Sequence, residues 1–148
     1  MCIRDSIYQN LGKYDEAFEH QVQALKLYET QKDSAGIARI YYSLGTQFYY
    51  QDQFSESLKY YTNAKNIIDT QDNERSKYAC LAALGSLYSK MGDFETSANY
   101  SQKSLDLALK INYKTGIAYG LGNIADDKQR LGNHKEAEKL YIQSIELK

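Results

Sequence analysis

Four short strings interrupt this chain at a fixed interval. Leu11-Gly12-Lys13-Tyr14, Gln51-Asp52-Gln53-Phe54, Met91-Gly92-Asp93-Phe94 and Leu131-Gly132-Asn133-His134 start at residues 11, 51, 91 and 131, a step of 40 with no insertion or deletion. A register held this strictly means one supersecondary unit used repeatedly. Neighbouring copies of such a unit stack to bury a continuous core that no single copy can bury alone.

Further slots confirm the frame. Three residues past the last position of each string lies a small residue: Ala17, Ser57, Ser97 and Ala137. Seven further on is another: Ala24, Ala64, Ser104 and Ser144. An aliphatic follows at Leu27, Ile67, Leu107 and Leu147, and upstream Leu44-Gly45, Leu84-Gly85 and Ile124-Ala125 align, with Tyr8, Phe48 and Tyr88 in a common slot. Within the second unit Ile40, Tyr41, Leu44 and Phe48 recur at intervals of three and four, as do Phe54, Leu58, Tyr61, Ala64, Lys65 and Ile68. That spacing puts each set on one face of a helix. Lys65 interrupts the second set, and its stem can lie along the surface. The strings are therefore breaks between two helices of a hairpin. Asp93 and Asn133 are suited to cap the second helices, and Asp33 and Asn73 to start the first helices of the following units. The small residues have a mechanical purpose. Gly45, Gly85 and Ala125 on one helix, and Ala17, Ser57, Ser97 and Ala137 on the other, let the two backbones approach, and a large residue there costs about 1–3 kcal/mol in overpacking. The chain has no proline and 15 tyrosines. The first permits long uninterrupted helices, and the second requires sites for many large amphipathic rings.

Other function classes lose ground on the same sequence. At 148 residues and a formal charge of -1, the chain offers no broad basic face, so nucleic acid is not an expected partner. No apolar run approaches the roughly 20 residues needed to span a bilayer, and no signal peptide is visible, so the expected compartment is cytoplasmic. Cys2 and Cys80 make neither a disulfide framework nor a metal motif. Cys80 falls beside a buried helix face, as an inert core thiol would. Asp126 and Asp127 are adjacent, so on a helix they point about 100° apart and do not form an acid–base pair. His134 takes the aromatic turn slot of Tyr14, Phe54 and Phe94, and His20 is a lone surface histidine. Every glycine belongs to the repeat, leaving no phosphate-binding loop. No catalysis, cofactor or metal is expected.

Leu44-Gly45-Phe48-Phe54-Ser57-Tyr61-Ala64 and Leu84-Gly85-Tyr88-Gly92-Phe94-Ser97-Ser104 resemble the tetratricopeptide repeat family. The resemblance covers residues 6 to 148. It implies an all-α fold, a right-handed superhelical solenoid of antiparallel helix pairs, with about four repeats of which the first and last are truncated. The family period is usually 34 residues. A period of 40 lengthens each helix to about 16–18 residues, or about 25 Å, as in the forty-residue subclass found in signalling scaffolds. The proline that often closes the family repeat is absent. Residues 1–6 read as a non-native scar, since the register puts Arg4 and Asp5 in the Leu44 and Gly45 slots, where a charge is costly to bury. Residues 7–148 read as one repeat domain, in units of about 7–33, 34–73, 74–113 and 114–148. Lys148 falls inside a second helix with no polar capping helix after it, so the expectation is a fragment of a longer protein.

The resemblance also implies where ligands lie. First helices line the concave side of such arrays, and by register this face carries Arg39, Tyr42, Ser43, Thr46, Tyr49, Tyr50, Ser86, Lys90, Asn123, Asp126 and Arg130. Ala79, Ala82 and Ala83 give a shallow floor between them. The implied function is a scaffold that binds a peptide or partner segment there. The segment would be extended or helical, with an aromatic or aliphatic anchor beside an acidic residue. Tyr42, Tyr49 and Tyr50 fit surface filling or contact with further repeats as well as ligand binding. The double-carboxylate clamp of chaperone adaptors is not expected, because Ala79, Ala82 and Ala83 replace its polar residues. The alternative is a sensory, regulatory or dimerisation module of a larger bacterial signalling protein whose effector domain lies outside this chain. Either reading allows self-association through uncapped terminal helices.

Overall fold

The computed structural model describes residues 3–147, with side chains described from Gly12 onward. Expectations that rest on Met1, Cys2, Arg4, Asp5 and Tyr8 as side chains therefore lie outside the described residues. All described secondary structure is helical: α1 (Ile3–Thr30), α2 (Ser34–Tyr50), α3 (Phe54–Ile68), α4 (Glu74–Met91), α5 (Phe94–Lys110), α6 (Lys114–Arg130) and α7 (His134–Glu146). The fold class is all-α. From α2 to α6 the helices are 15 to 18 residues long, as the forty-residue period requires. The chain divides into two compact units, Met1–Ile67 and Ile68–Lys148.

Three of the four strings, at Asp52, Gly92 and Gly132, break the helices where the register places them, and local chemistry explains these turns. Gly92 and Gly132 adopt φ of 84° and 83°, a left-handed turn that glycine enters without steric cost. Asp52 makes the equivalent turn at φ 57°, in a region that Asp and Asn tolerate better than other side chains. Asp33, Asn73 and Asp93 cap α2, α4 and α5 by accepting the N–H of Gly36 at 2.9 Å, Ser76 at 3.0 Å and Thr96 at 3.1 Å. Asn133 stands at the cap of α7 but makes no side-chain cap bond.

One expected break is missing. The Leu11–Tyr14 string does not interrupt α1, which runs continuously through it for 28 residues. Gly12 permits a turn but does not impose one. Lys13 sits in the slot of Asp93 and Asn133 and carries no acceptor to cap a new helix, so nothing there stops the first one. The structure thus begins with one long helix in place of a truncated hairpin.

In the first unit, α2 and α3 form an antiparallel hairpin closed on Leu44, Tyr61 and Ala64, each 3 % exposed or less. Phe48 stacks on Tyr60 with centroids 5.4 Å apart, and Phe18 of α1 meets Phe48 edge-on at 6.0 Å. In the second unit, α4 packs on α5, α5 on α6 and α6 on α7. Its core includes Tyr78, Ala82, Leu105, Ala108, Ile117, Leu121 and Ile124. Leu84 and Leu87 are 1 % and 0 % exposed. A leucine buried to that degree contributes roughly 1.5–3 kcal/mol relative to exposure. Cys80 is buried with them, as expected of an inert core thiol. The small slots do what close approach requires: Ser57, Ser97 and Ala137 are buried on α3, α5 and α7, and the Ser57 and Ser97 hydroxyls donate to the Gly45 and Gly85 carbonyls on the first helices. The recurring aliphatics behave differently. Leu27 and Leu147 are 56 % and 42 % exposed, whereas Ile67 is half-buried and Leu107 packs against the core of the second unit.

Candidate functional site

The first-helix positions singled out from the register fall into two places, one in each unit. In the first unit, Arg39, Tyr42, Ser43, Thr46 and Tyr50 of α2 line an open cavity of about 450 Å³. Its other wall is Tyr14, Ala17 and Gln21 of α1, with Gln47 completing it. Arg39 is the one charge among the described lining residues. Its guanidinium lies 5.8 Å from the Tyr28 ring centroid. Gln47 donates to the Tyr14 carbonyl at 3.0 Å and Gln21 to the Ser43 hydroxyl at 2.8 Å, which ties α1 to α2 across the cavity floor.

The tyrosines around this cavity form a connected set. Tyr42 lies 5.5 Å from Tyr61, and Tyr49 meets Tyr50 edge-on at 5.3 Å. Thr46 shares a hydrogen bond of 3.0 Å with the Tyr61 hydroxyl. Burial, reinforced by Tyr42, Tyr49 and Tyr50 nearby, pushes the Tyr61 phenol up to about 12, against a smaller opposing effect of the Thr46 bond. Tyr49 is half-buried against this set and does not line the cavity, whereas Tyr50 is 67 % exposed at its rim.

In the second unit, Asn123 and Asp126 of α6 line a larger open cavity of about 680 Å³ with Lys114, Tyr119 and Gly122 of the same helix. Tyr141, Ser144, Ile145 and Leu147, on and just after α7, form its far side. The Tyr141 hydroxyl donates to Asp126, and that bond raises the phenol pKa, with burial adding to it. The pairing repeats the one in the first unit. Thr46 and Asp126 occupy one repeat slot, Tyr61 and Tyr141 another, and each pair is separated by 15 residues.

The remaining candidates lie elsewhere in the second unit. Ser86 on α4 meets the Tyr119 hydroxyl at 3.2 Å. Lys90 is exposed at the end of α4. Arg130 lies with its guanidinium 5.4 Å from the Phe94 ring centroid, at the other end of α6 from Tyr119. Neither cavity is lined by Ser86, Lys90 or Arg130. Ala82 is buried in the core of the second unit, while Ala79 and Ala83 are half-buried, and none of the three lines either cavity.

Sequence reasoning passed over several residues. Tyr14 was expected at a break and instead lines a cavity from within α1. Tyr141 is the second, with its hydroxyl facing Asp126. The signal for Tyr141 was the shared slot with Tyr61, fifteen residues after a polar first-helix side chain. Asp127 is the third. It does point away from the exposed Asp126, and it is 1 % exposed between α4, α5 and α6. It accepts from Ser89 at 3.0 Å and lies 2.5 Å from the Ser97 hydroxyl. Burial raises its pKa, opposed by its hydrogen bonds with Ser97 and Ser89. Its slot is the one Leu87 fills in the preceding repeat, and a carboxyl in an apolar slot needs partners brought to it. His134 and His20 are both exposed, and His134 does not fill the half-buried place that Phe54 and Phe94 take.

A family model for the tetratricopeptide repeat matches this sequence over residues 6–70 and 77–148. The chain belongs to the tetratricopeptide repeat family. Solved structures agree on the fold. BtubC (BKLC) from P. vanneervenii is 19 % identical with a TM-score of 0.84, over 96 % of this chain and 59 % of that one. The tetratricopeptide repeat domain of Arabidopsis FLU is 18 % identical with a TM-score of 0.69, over 73 % and 91 %. A kinesin light chain-like repeat protein of Podosopora anserina is 17 % identical with a TM-score of 0.73, over 95 % and 69 %. The chain therefore spans under two thirds of the length of BtubC. No curated protein matches the chain. Tetratricopeptide repeats generally mediate protein–protein interaction and are generally non-catalytic scaffolds. Among the described residues no group of His, Cys, Asp and Glu is placed to hold a metal ion, and no helix is long and apolar enough to cross a membrane.

Proposed function

We propose that this tetratricopeptide repeat chain binds a peptide or a segment of a partner protein on the exposed faces of its first helices. The observation that carries this reading is the cavity of the first unit. Five residues of the face that the family resemblance implies, Arg39, Tyr42, Ser43, Thr46 and Tyr50, line one open depression with rings on its walls and one cation beside them. Rings of this kind supply large contact area at low entropic cost, and tyrosine and arginine dominate binding hot spots. The ligand is a segment with an aromatic or aliphatic anchor for the tyrosines and an acidic residue for Arg39. Asn123, with an amide that both donates and accepts, gives the cavity of the second unit the means to hold a peptide backbone.

The test is a peptide-display screen against the chain, followed by affinity measurement on the variants Tyr42→Ala with Tyr50→Ala, and Asn123→Ala. Loss of a central aromatic anchor costs about 2 kcal/mol or more, roughly 30-fold in Kd. The tyrosine variant should lose at least that much, with helical content by circular dichroism unchanged. Wild-type affinity in both variants, for every peptide selected, would remove these faces as the binding site.

A further inference from the structure

We infer that Asp127 is a proton-operated latch: its carboxyl is held protonated in the folded chain, fastening α6 to α4 and α5, and loss of that proton loosens α6. Ser97 has one hydroxyl hydrogen and two oxygens within reach, the Gly85 carbonyl at 2.9 Å and Asp127 Oδ2 at 2.5 Å. The repeat itself shows where that hydrogen goes. In the preceding hairpin Ser57, in the same slot, donates to the Gly45 carbonyl at 2.8 Å. The bond from serine to glycine carbonyl is thus part of how these hairpins close. With the Ser97 hydrogen spent on Gly85, the 2.5 Å contact needs its hydrogen from Asp127. A protonated Asp127 donates from Oδ2 to Ser97 and accepts from Ser89 at Oδ1, and every group then has its partner. That length also suits a hydrogen bond between two oxygens.

Charge leads to the same state. Asp127 is almost wholly buried and has no salt bridge among the described residues, so an ionised carboxylate would rest on neutral hydroxyls alone. The charges that act on it are Asp126, which opposes ionisation of its neighbour, and Arg130, which favours it, both on α6. α4 and α5 meet it with Ser89, Ser97 and the Gly85 carbonyl. The charged residues next to those serines along the chain, Lys90, Asp93 and Glu95, are exposed. Ionisation forces Ser97 to choose between Gly85 and the carboxylate and puts a charge into the α4–α5–α6 interface. α6 is also the helix that presents Asn123 and Asp126, so protonation is coupled to the exposed face of the same element. The inference does not depend on what that face binds.

The linkage has a definite sign. A group whose folded pKa exceeds its unfolded value stabilises fully below the unfolded value, and that stability is lost as pH rises through the folded one. Two measurements on the intact chain test it. The first is the carbon-13 shift of the Asp127 carboxyl in wild type between about pH 4 and about pH 8, with amide protection of α6 followed over the same range. A midpoint clearly above the ordinary carboxyl value of 3.8 is expected, with α6 protection falling through it. The second is Tm of Asp127→Asn, whose amide reproduces the donor and acceptor of the neutral acid. It should melt a few °C above wild type at about pH 7 and lose that advantage near pH 4. A midpoint at or below 3.8 overturns the latch, and so does α6 protection that ignores pH. If the Asn variant does not fold, the wild-type titration alone decides.

Discussion

The hairpins α2–α3 and α4–α5 have one backbone plan and two interiors. On one side they are alike. Phe48 stacks on Tyr60 at 5.4 Å, and Tyr88 on Tyr100, forty residues later, at 5.5 Å. On the other side they part. Where Gly45 faces the ring of Tyr61, Gly85 faces Ser101. The first interior is filled by a phenol tied to Thr46. In the second, Ser101 and Ser104, each 1 % exposed, take the slots of Tyr61 and Ala64, and the Asp127 carboxyl is brought in beside Ser97. The repeat thus specifies how near two helices come and leaves open what fills the space. Close approach is a backbone property and returns in every copy. Filling is a side-chain property and is free to become aromatic or polar.

The sharpest way to break the comparison is to add one methyl to each glycine. A Cβ on Gly45 would sit 2.5 Å from Tyr61 Cδ1 and 2.8 Å from Cε1. That ring is buried and held through its hydroxyl, so Gly45→Ala should destabilise the chain by about 1–3 kcal/mol, the usual cost of overpacking. A Cβ on Gly85 meets first the Ser101 hydroxyl at 2.9 Å, then backbone at 3.4 Å. The Ser101 oxygen has no hydrogen-bond partner to lose and can rotate aside. Replacing an interior helix glycine also gains up to about 1 kcal/mol in propensity, so Gly85→Ala should be near neutral. Urea unfolding of the two variants measures this. Equal losses would mean that backbone spacing alone, and not the filling, sets the tolerance.

This division also explains what could be read from the sequence. The forty-residue step made the helices, turns and caps legible because each depends on residues close in the chain. Asp93 caps, Gly92 turns and Leu84 is buried, as their slots require. The faces of the first helices were legible through the family resemblance carried along the same register, which is how Arg39, Tyr42 and Tyr50 came to be named together. The second wall of each cavity was not. Tyr14 reaches the α2 cavity only because α1 runs through Lys13 without stopping, and Tyr141 because α7 brings its hydroxyl to Asp126. Both are outcomes of tertiary placement that no single helix encodes. Asp127 was hidden for a related reason. Its partners, Ser89 and Ser97, come from two other helices, and only the fold brings all three hydroxyl-bearing groups together.

Alkaline titration sharpens the comparison from the aromatic side. Tyr61 is raised from 10.0 to about 12, principally by burial, so the fold prefers its neutral phenol. Its contribution is complete below pH 10 and is lost as pH rises through about 12, the reverse of a depressed acid. Wild type should therefore lose Tm more steeply than Tyr61→Phe across that interval, because phenylalanine has no proton to give up. Ser101 offers the second hairpin no such liability. A parallel decline in the two proteins would show that Tyr61 ionises without leaving the interior.

The smallest expected effect contrasts two caps in place of two interiors. Asp33 heads α2 and accepts the Gly36 N–H at 2.9 Å, whereas Asn133 heads α7 and makes no such bond. An N-cap side chain satisfies one of the amide groups that the first turn leaves without an intrahelical partner, and its removal costs about 1 kcal/mol. Asp33→Ala should lose that amount, and Asn133→Ala only a few tenths. The two residues are interchangeable by capping preference, so the sequence ranks them together and only the bond separates them. Asp33 is half-buried beside the α1–α2 junction, which fixes the loop that presents it, while Asn133 is exposed and free to turn outward. Thermal unfolding of the two single variants measures the difference. An Asn133→Ala loss as large as that of Asp33→Ala would show that α7 is capped in solution as α2 is, and that the two ends of the repeat are held alike.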